Sequence, residues 1–149
     1  MVSTTPITII ISVHYRQQHI NEAIESYRKT QFPIIVADSS QEPIPGLDDD
    51  PRVTYLHTPH QLFYKKIYEA LLRVETEFVI DAPDDDIVFS EALIEASSFL
   101  LENKEYSFCN ARWNGDLKGN PVADRIREQA FISASPIERI RVGTSRGCW

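Results

Sequence analysis

The sequence predicts an α/β protein, a mostly parallel (mixed) sheet sandwiched by helices. Three observations carry that reading. Short β-branched runs alternate with segments whose apolar residues recur at helical spacing. The first run, Ile7–Val13, is almost continuously apolar, as a strand buried on both faces of a parallel sheet must be. The segments follow the order β-α-β-β-α-β-α-β, which suits crossover connections better than hairpins.

Each element has its own signal. After the first run, His14, Tyr15, Arg16 and Gln17 break the apolar pattern as a polar loop. Ile20, Ala23, Ile24 and Tyr27 then repeat at i, i+3, i+4 and i+7, one face of a helix. A second strand, 34–37, stops abruptly at Asp38-Ser39-Ser40. Residues 41–51 are rich in Pro, Gly and Asp and read as a loop. A short third strand spans 53–56. Phe63, Ile67, Ala70, Leu71 and Val74 mark a second amphipathic helix, with Phe63, Ile67 and Ala70 turned inward. Lys66 edges that face, and Lys65 points to solvent. Residues 78–80 form a fourth strand, followed by a polar stretch that ends in Asp84-Asp85-Asp86. Ser90 is positioned to cap a third helix, with Glu91 in the first turn where the dipole favours acid. Leu93, Ile94, Ser97, Leu100 and Leu101 make its inner face. Residues 106–113 alternate like a last strand. The pattern then weakens, so the expected division is an α/β domain over 1–113 and a short extension over 114–149.

Composition narrows the functions. Of 149 residues 42% are apolar and 25% charged, ordinary values for a globular fold. Fifteen basic against 22 acidic residues give a net charge of −7. An acidic domain is a poor match for nucleic-acid phosphates, which require a basic surface. Ile7–Val13 is the longest apolar stretch and is far too short to cross a bilayer. No basic n-region precedes it, so a cytoplasmic location is expected, with peripheral membrane association left open. Cys109 and Cys148 stand in unrelated contexts and suggest neither a disulfide framework nor a CxxC site.

The chemistry concentrates after three predicted strands, at residues 14–17, 38–40 and 84–86. If those strands are parallel, the three segments share one edge of the sheet, where open α/β sheets bind ligands. Three adjacent carboxylates repel one another unless something positive sits among them. A hard divalent cation such as Mg²⁺ meets that need with one or two carboxylates plus substrate phosphates. Asp84 and Asp86, two residues apart, face the same side of an extended segment. A solvated acidic turn is the plainer reading. Asp38 can accept hydrogen bonds from a nucleoside, or can simply close an Asx-turn. Arg16 and Lys66 are the cations nearest to this edge. His57 and His60 have no third partner that would suggest zinc.

Taken together, ITIIISVHYRQ, PIIVADSS and LFYKKIYEALLRVETEFVIDAPDDD resemble, in order and spacing, the donor half of a glycosyltransferase. The family is the GT-A type, of the family-two kind that uses nucleotide-diphosphate sugars. SPIERIRV resembles a later segment of some bacterial members. The resemblance implies a Rossmann-like nucleotide-binding fold. It implies that Asp38 contacts the nucleoside and that Tyr15 and Arg16 lie near the base. Lys66 would approach the base or the phosphates, with Asp84 and Asp85 beside the donor. Asp86, with Asp84, would ligate Mn²⁺ or Mg²⁺ in a DxD motif. The implied partners are a UDP-sugar and a saccharide or glycan acceptor. The family's catalytic base stands in an acceptor-binding half, and residues 87–149 are few for one. Asp124 and Glu128 are the nearest candidates for that base. The alternative is a non-catalytic nucleotide-sugar-binding module or a truncated, inactive member.

Overall fold

Four β-branched or apolar runs become four strands in the computed structural model, which describes residues 6–27, 30–85 and 88–109. They are β1 (Ile7–Val13), β2 (Ile34–Asp38), β3 (Val53–His57) and β4 (Phe78–Pro83). All pair in parallel, in the order β3-β2-β1-β4. Among the described residues the sheet is thus purely parallel rather than mixed. The helices are α1 (Ile20–Ser26), α2 (Phe63–Leu71) and α3 (Ser90–Glu102). This alternation is Rossmann-like. Met1–Cys109 form one compact unit. No helix among the described residues is long and apolar enough to cross a membrane.

The period of two along the strands divides the core. Ile7, Ile9, Ile11 and Val13 of β1 join Ile34 and Val36 of β2 on one face, under Ile20 and Ala23 of α1 and Leu93 of α3. Ile10, Ile35 and Ala37 face the other way, against Ala70 and Ile67 of α2. Burial on both faces explains why β1 and β2 show no apolar–polar alternation. β4 is different. Phe78, Ile80 and Ala82 pack into the first layer, while Val79 and Asp81 on its other face are exposed.

Several expectations change. Residues 106–109 are not a strand; all four are exposed, and 110–113 lie outside the described residues. Alternation there did not reflect a half-buried surface. The fourth strand runs on to Pro83, so Asp81 is a strand residue. Phe63 and Leu71 point outward, 58% and 43% exposed, while Lys66 and Ala70 are the buried residues of α2. The apolar side chains of α2 do form one face, but the side laid on the sheet is the Ala70–Lys66 edge of that face, which leaves Phe63 and Leu71 outside the contact. Ile94 and Leu101 of α3 are also exposed, leaving Leu93, Ser97 and Leu100 as its inner line. Ser90 is the first helical residue of α3, and Phe89 holds the cap position without a side-chain bond.

Candidate functional site

The chain steps outward from β1 to β2 to β3, then returns to the opposite side of β1 as β4. The strand order therefore reverses between β1 and β4. A reversal of this kind leaves a crevice beyond the strand C-termini, where neighbouring loops part to opposite faces. The loops after β1 and β4 flank that crevice.

The loop after β1 is built by hydrogen bonds to the end of β2. The His14 Nδ1 lies 2.9 Å from Ser39 Oγ, and the Tyr15 amide donates to Ser40 Oγ at 2.9 Å. Tyr15 adopts a left-handed backbone, φ 58°. For a residue with a Cβ this costs about 1–2 kcal/mol, which the two anchors offset. The turn sends the next two side chains to different partners. Gln17 donates to Asp38 Oδ2 at 3.3 Å and to the Glu42 carbonyl at 2.6 Å. Arg16 reaches Asp84 Oδ1 at 2.6 Å and Asp85 Oδ2 at 2.5 Å. One short loop thereby ties the end of β2 to the end of β4.

Asp38, the last residue of β2, is fully buried. Its Oδ1 accepts the Ser40 amide at 2.8 Å, an Asx-turn, and its Oδ2 accepts the Tyr55 hydroxyl at 2.8 Å. Burial pushes its pKa up, but the hydrogen bonds from Ser40, Tyr55 and Gln17 outweigh that and hold it below the usual carboxylate value. Tyr55 in turn accepts the Ile44 amide at 2.8 Å, and burial beside Asp38 raises its phenol.

Lys66 enters from α2, one turn into the helix, and is only 3% exposed. Its ammonium donates to the Val13 carbonyl at 2.5 Å and to Ser39 Oγ at 3.2 Å. Burial lowers its pKa; the charges of Asp38, Asp84 and Asp81 pull the other way. Its two hydrogen bonds join α2 to the ends of β1 and β2. Lys65 is exposed.

After β4 the Asp84 side chain has no solvent exposure, whereas Asp85 is about half exposed. Burial raises the Asp84 carboxyl, more than Arg16 lowers it. Its Oδ2 is buried and has no hydrogen-bond partner among the described residues. The Arg16 guanidinium is raised further by Asp85 and Asp84. The positive charge that the acidic run requires is thus supplied from within the chain.

The structure brings Arg16, Asp38, Lys66, Asp84 and Asp85 to one end of the sheet, joined by Gln17. Tyr15 borders them, 58% exposed, with its ring edge-on to His14 at 4.3 Å. Asp86, Asp124 and Glu128 lie outside the described residues. His57 serves structure, its Nε2 lying 3.0 Å from the Ser40 carbonyl. No group of three or more His, Cys, Asp or Glu among the described residues is arranged to hold a metal. Sequence reasoning had Gln17, Ser39 and Ser40 only as parts of the polar segments, without a role of their own beyond a local turn, and missed Tyr55 altogether. Tyr55 would have been found from register, since it pairs with Val36 and so shares a sheet face with Asp38. A broad hollow lies at the opposite end of the strands, lined by Pro6, Thr8, Thr30, Phe32 and Arg73. It is remote from the carboxylates and from Lys66. No protein-family model matches the chain, and no curated protein does.

Proposed function

We propose that this edge binds the nucleotide diphosphate of a sugar donor, and that the chain is a GT-A-type glycosyltransferase or its donor-binding portion. The observation that carries the reading is the meeting of Arg16 with Asp84 and Asp85 at the point where the strand order reverses. A UDP-sugar is the favoured donor and a saccharide the acceptor.

The cation of this reading is Mn²⁺ or Mg²⁺, and what supports it is the chemistry of Asp84 rather than a complete ligand set among the described residues. Asp84 offers a buried oxygen without a partner among those residues, and these cations need only one or two carboxylates when phosphates complete the shell. Asp84 would hold the cation, with Asp86 as the second ligand of the motif. Bound there, the cation would supply charge neutralisation to the departing diphosphate. The chain's own groups do the rest. Lys66 adds fixed positive charge at the floor of the edge, where burial strengthens its field. Tyr15 presents an exposed ring on which a base can stack. Asp38 holds Gln17, Ser40 and Tyr55 in place around that surface.

Calorimetric titration of UDP with Mn²⁺, and again with EDTA, tests the reading. Binding should be about tenfold or more tighter with the metal, because carboxylates and diphosphate repel until a cation joins them. Asp84→Asn should abolish that difference. Equal affinity in both buffers, or no binding in either, overturns it.

One observation favours a second reading, a non-catalytic nucleotide-sugar-binding module. Arg16 already neutralises the acids, so the edge needs no metal to be stable. A donor-consumption assay over a panel of sugar nucleotides and acceptors separates the two. Metal-independent UDP binding without consumption favours the module.

A further inference from the structure

We propose that Arg16 is a displaceable internal counter-ion, which occupies the carboxylates of Asp84 and Asp85 in the protein alone and competes with a divalent cation for them. The inference rests on reading this cleft as a cation-assisted donor site.

Three features single out Arg16. It contacts both carboxylates at once, through Nη2 to Asp84 and Nη1 to Asp85, with a further contact to Asp85 Oδ1 at 3.3 Å. Its side chain is 48% exposed, whereas that of Asp84 is not exposed at all. It stands on the polar loop whose course is set by Tyr15 and its bond to Ser40. The guanidinium can therefore swing into water, while the Asp84 carboxylate cannot follow it.

That asymmetry couples two events. With Arg16 withdrawn, Asp84 would be a buried carboxylate without a counter-charge among the described residues, its Oδ2 having no side-chain partner there already. A buried charge left uncompensated is strongly unfavourable. Departure of the guanidinium and arrival of a cation are therefore favourable together and unfavourable apart. A diphosphate assists the exchange from the other side, since a released guanidinium is a forked donor matched to phosphate oxygens. Arg16 would then pass from the acids to the donor, and the site would not hold a cation firmly until a nucleotide was present. The carboxylates are shared by two cations that cannot bind at once, so any gain in one weakens the other by the same factor.

The probe is Mn²⁺ alone, without nucleotide, followed by the electron paramagnetic resonance signal of free metal. Arg16→Gln should bind Mn²⁺ about tenfold or more tighter than the parent, a coupling of ordinary size. Arg16→Lys, a point charge that cannot fork across two carboxylates, should fall between them. Adding Asp84→Asn to Arg16→Gln should erase the gain. Unchanged or weaker Mn²⁺ binding in Arg16→Gln overturns the proposal, as does the absence of Mn²⁺ binding in every variant. Melting curves for each variant exclude misfolding, and if Arg16→Gln does not fold the Lys variant decides by the same sign. A parallel UDP titration keeps the two ideas apart. If Mn²⁺ binding tightens in Arg16→Gln while no variant binds UDP, the counter-ion role stands and the donor reading fails.

Discussion

Asp38 and Asp84 are both buried carboxylates at strand ends, yet their surroundings drive their acidities in opposite directions. Asp38 accepts three donors and is held low; Asp84 keeps an oxygen unpartnered among the described residues and is raised by burial. A carboxyl depressed in the folded state contributes stability above its unfolded pKa, and loses it as pH falls through the folded value. Asp38→Asn should therefore cost about 2–3 kcal/mol at pH 7, because Asn sets an amide donor against the donors of Tyr55 and Gln17. The gap from the parent should close as pH drops below about 4. A carboxyl raised in the folded state has the reverse sign, since its ionisation opposes folding above the unfolded pKa. Asp84→Asn should accordingly lie within about 1 kcal/mol of the parent at pH 7, or be the more stable. Denaturant midpoints at pH 7, 5 and 3 check both, and a gap for Asp38→Asn that stays constant with pH contradicts the first. The Asx-turn half of this was legible in the sequence, because Asp-Ser-Ser after a strand closes such turns locally. The Tyr55 half was not, because a contact 17 residues away depends on strand register.

At the scale of elements, β1 was legible to the residue, while α2 was legible in extent but not in orientation. A strand buried on both faces needs no choice of face, so its apolar run alone fixes it. α2 gathers Phe63, Tyr64, Ile67, Tyr68, Ala70 and Leu71 on one side, but its neighbours cover only one edge of that side. The covered side is that of Ala70 and Lys66, where small Ala37 and Ala70 let the helix approach β2 closely. α3 was misread for the same reason, with Ile94 and Leu101 assigned inward on spacing alone. Docking of α2 through Ala70 has a direct consequence. Ala70→Leu should overpack the contact with Ile10 and Ile35 and destabilise by about 1–3 kcal/mol. Leu72→Gln, at a position 69% exposed, should change stability by no more than about 0.5 kcal/mol. Urea unfolding of the two variants measures the contrast. Equal effects would mean that α2 rests on the sheet through a different side.

For the whole molecule, a largely parallel sheet with its polar loops at one edge was legible because strand–helix alternation leaves few topologies open, whereas the strand order was not. The ion pairs within that edge were not: the sequence pointed to Arg16 and Lys66 as cations for a ligand, and not to Arg16 as the direct partner of Asp84 and Asp85. Global charge adds a constraint that no single contact supplies. The protein carries −7 and its candidate site contains Asp38, Asp84 and Asp85 against Arg16 and Lys66. A nucleotide diphosphate, itself a multiply charged anion, is repelled on approach unless a cation accompanies it. Salt screens this long-range repulsion, with a Debye length of about 10 Å at 0.1 M. Without divalent metal, then, raising NaCl from about 10 to 150 mM should strengthen UDP binding severalfold. This is the reverse of the usual behaviour of a basic phosphate site, whose attraction salt weakens. With saturating Mn²⁺ the repulsion is met locally, and the salt dependence should flatten or change sign. Titrations at three ionic strengths, with and without Mn²⁺, measure it. If affinity without metal falls as salt rises, Arg16 and Lys66 dominate the field at the edge, and the carboxylates do not govern nucleotide entry.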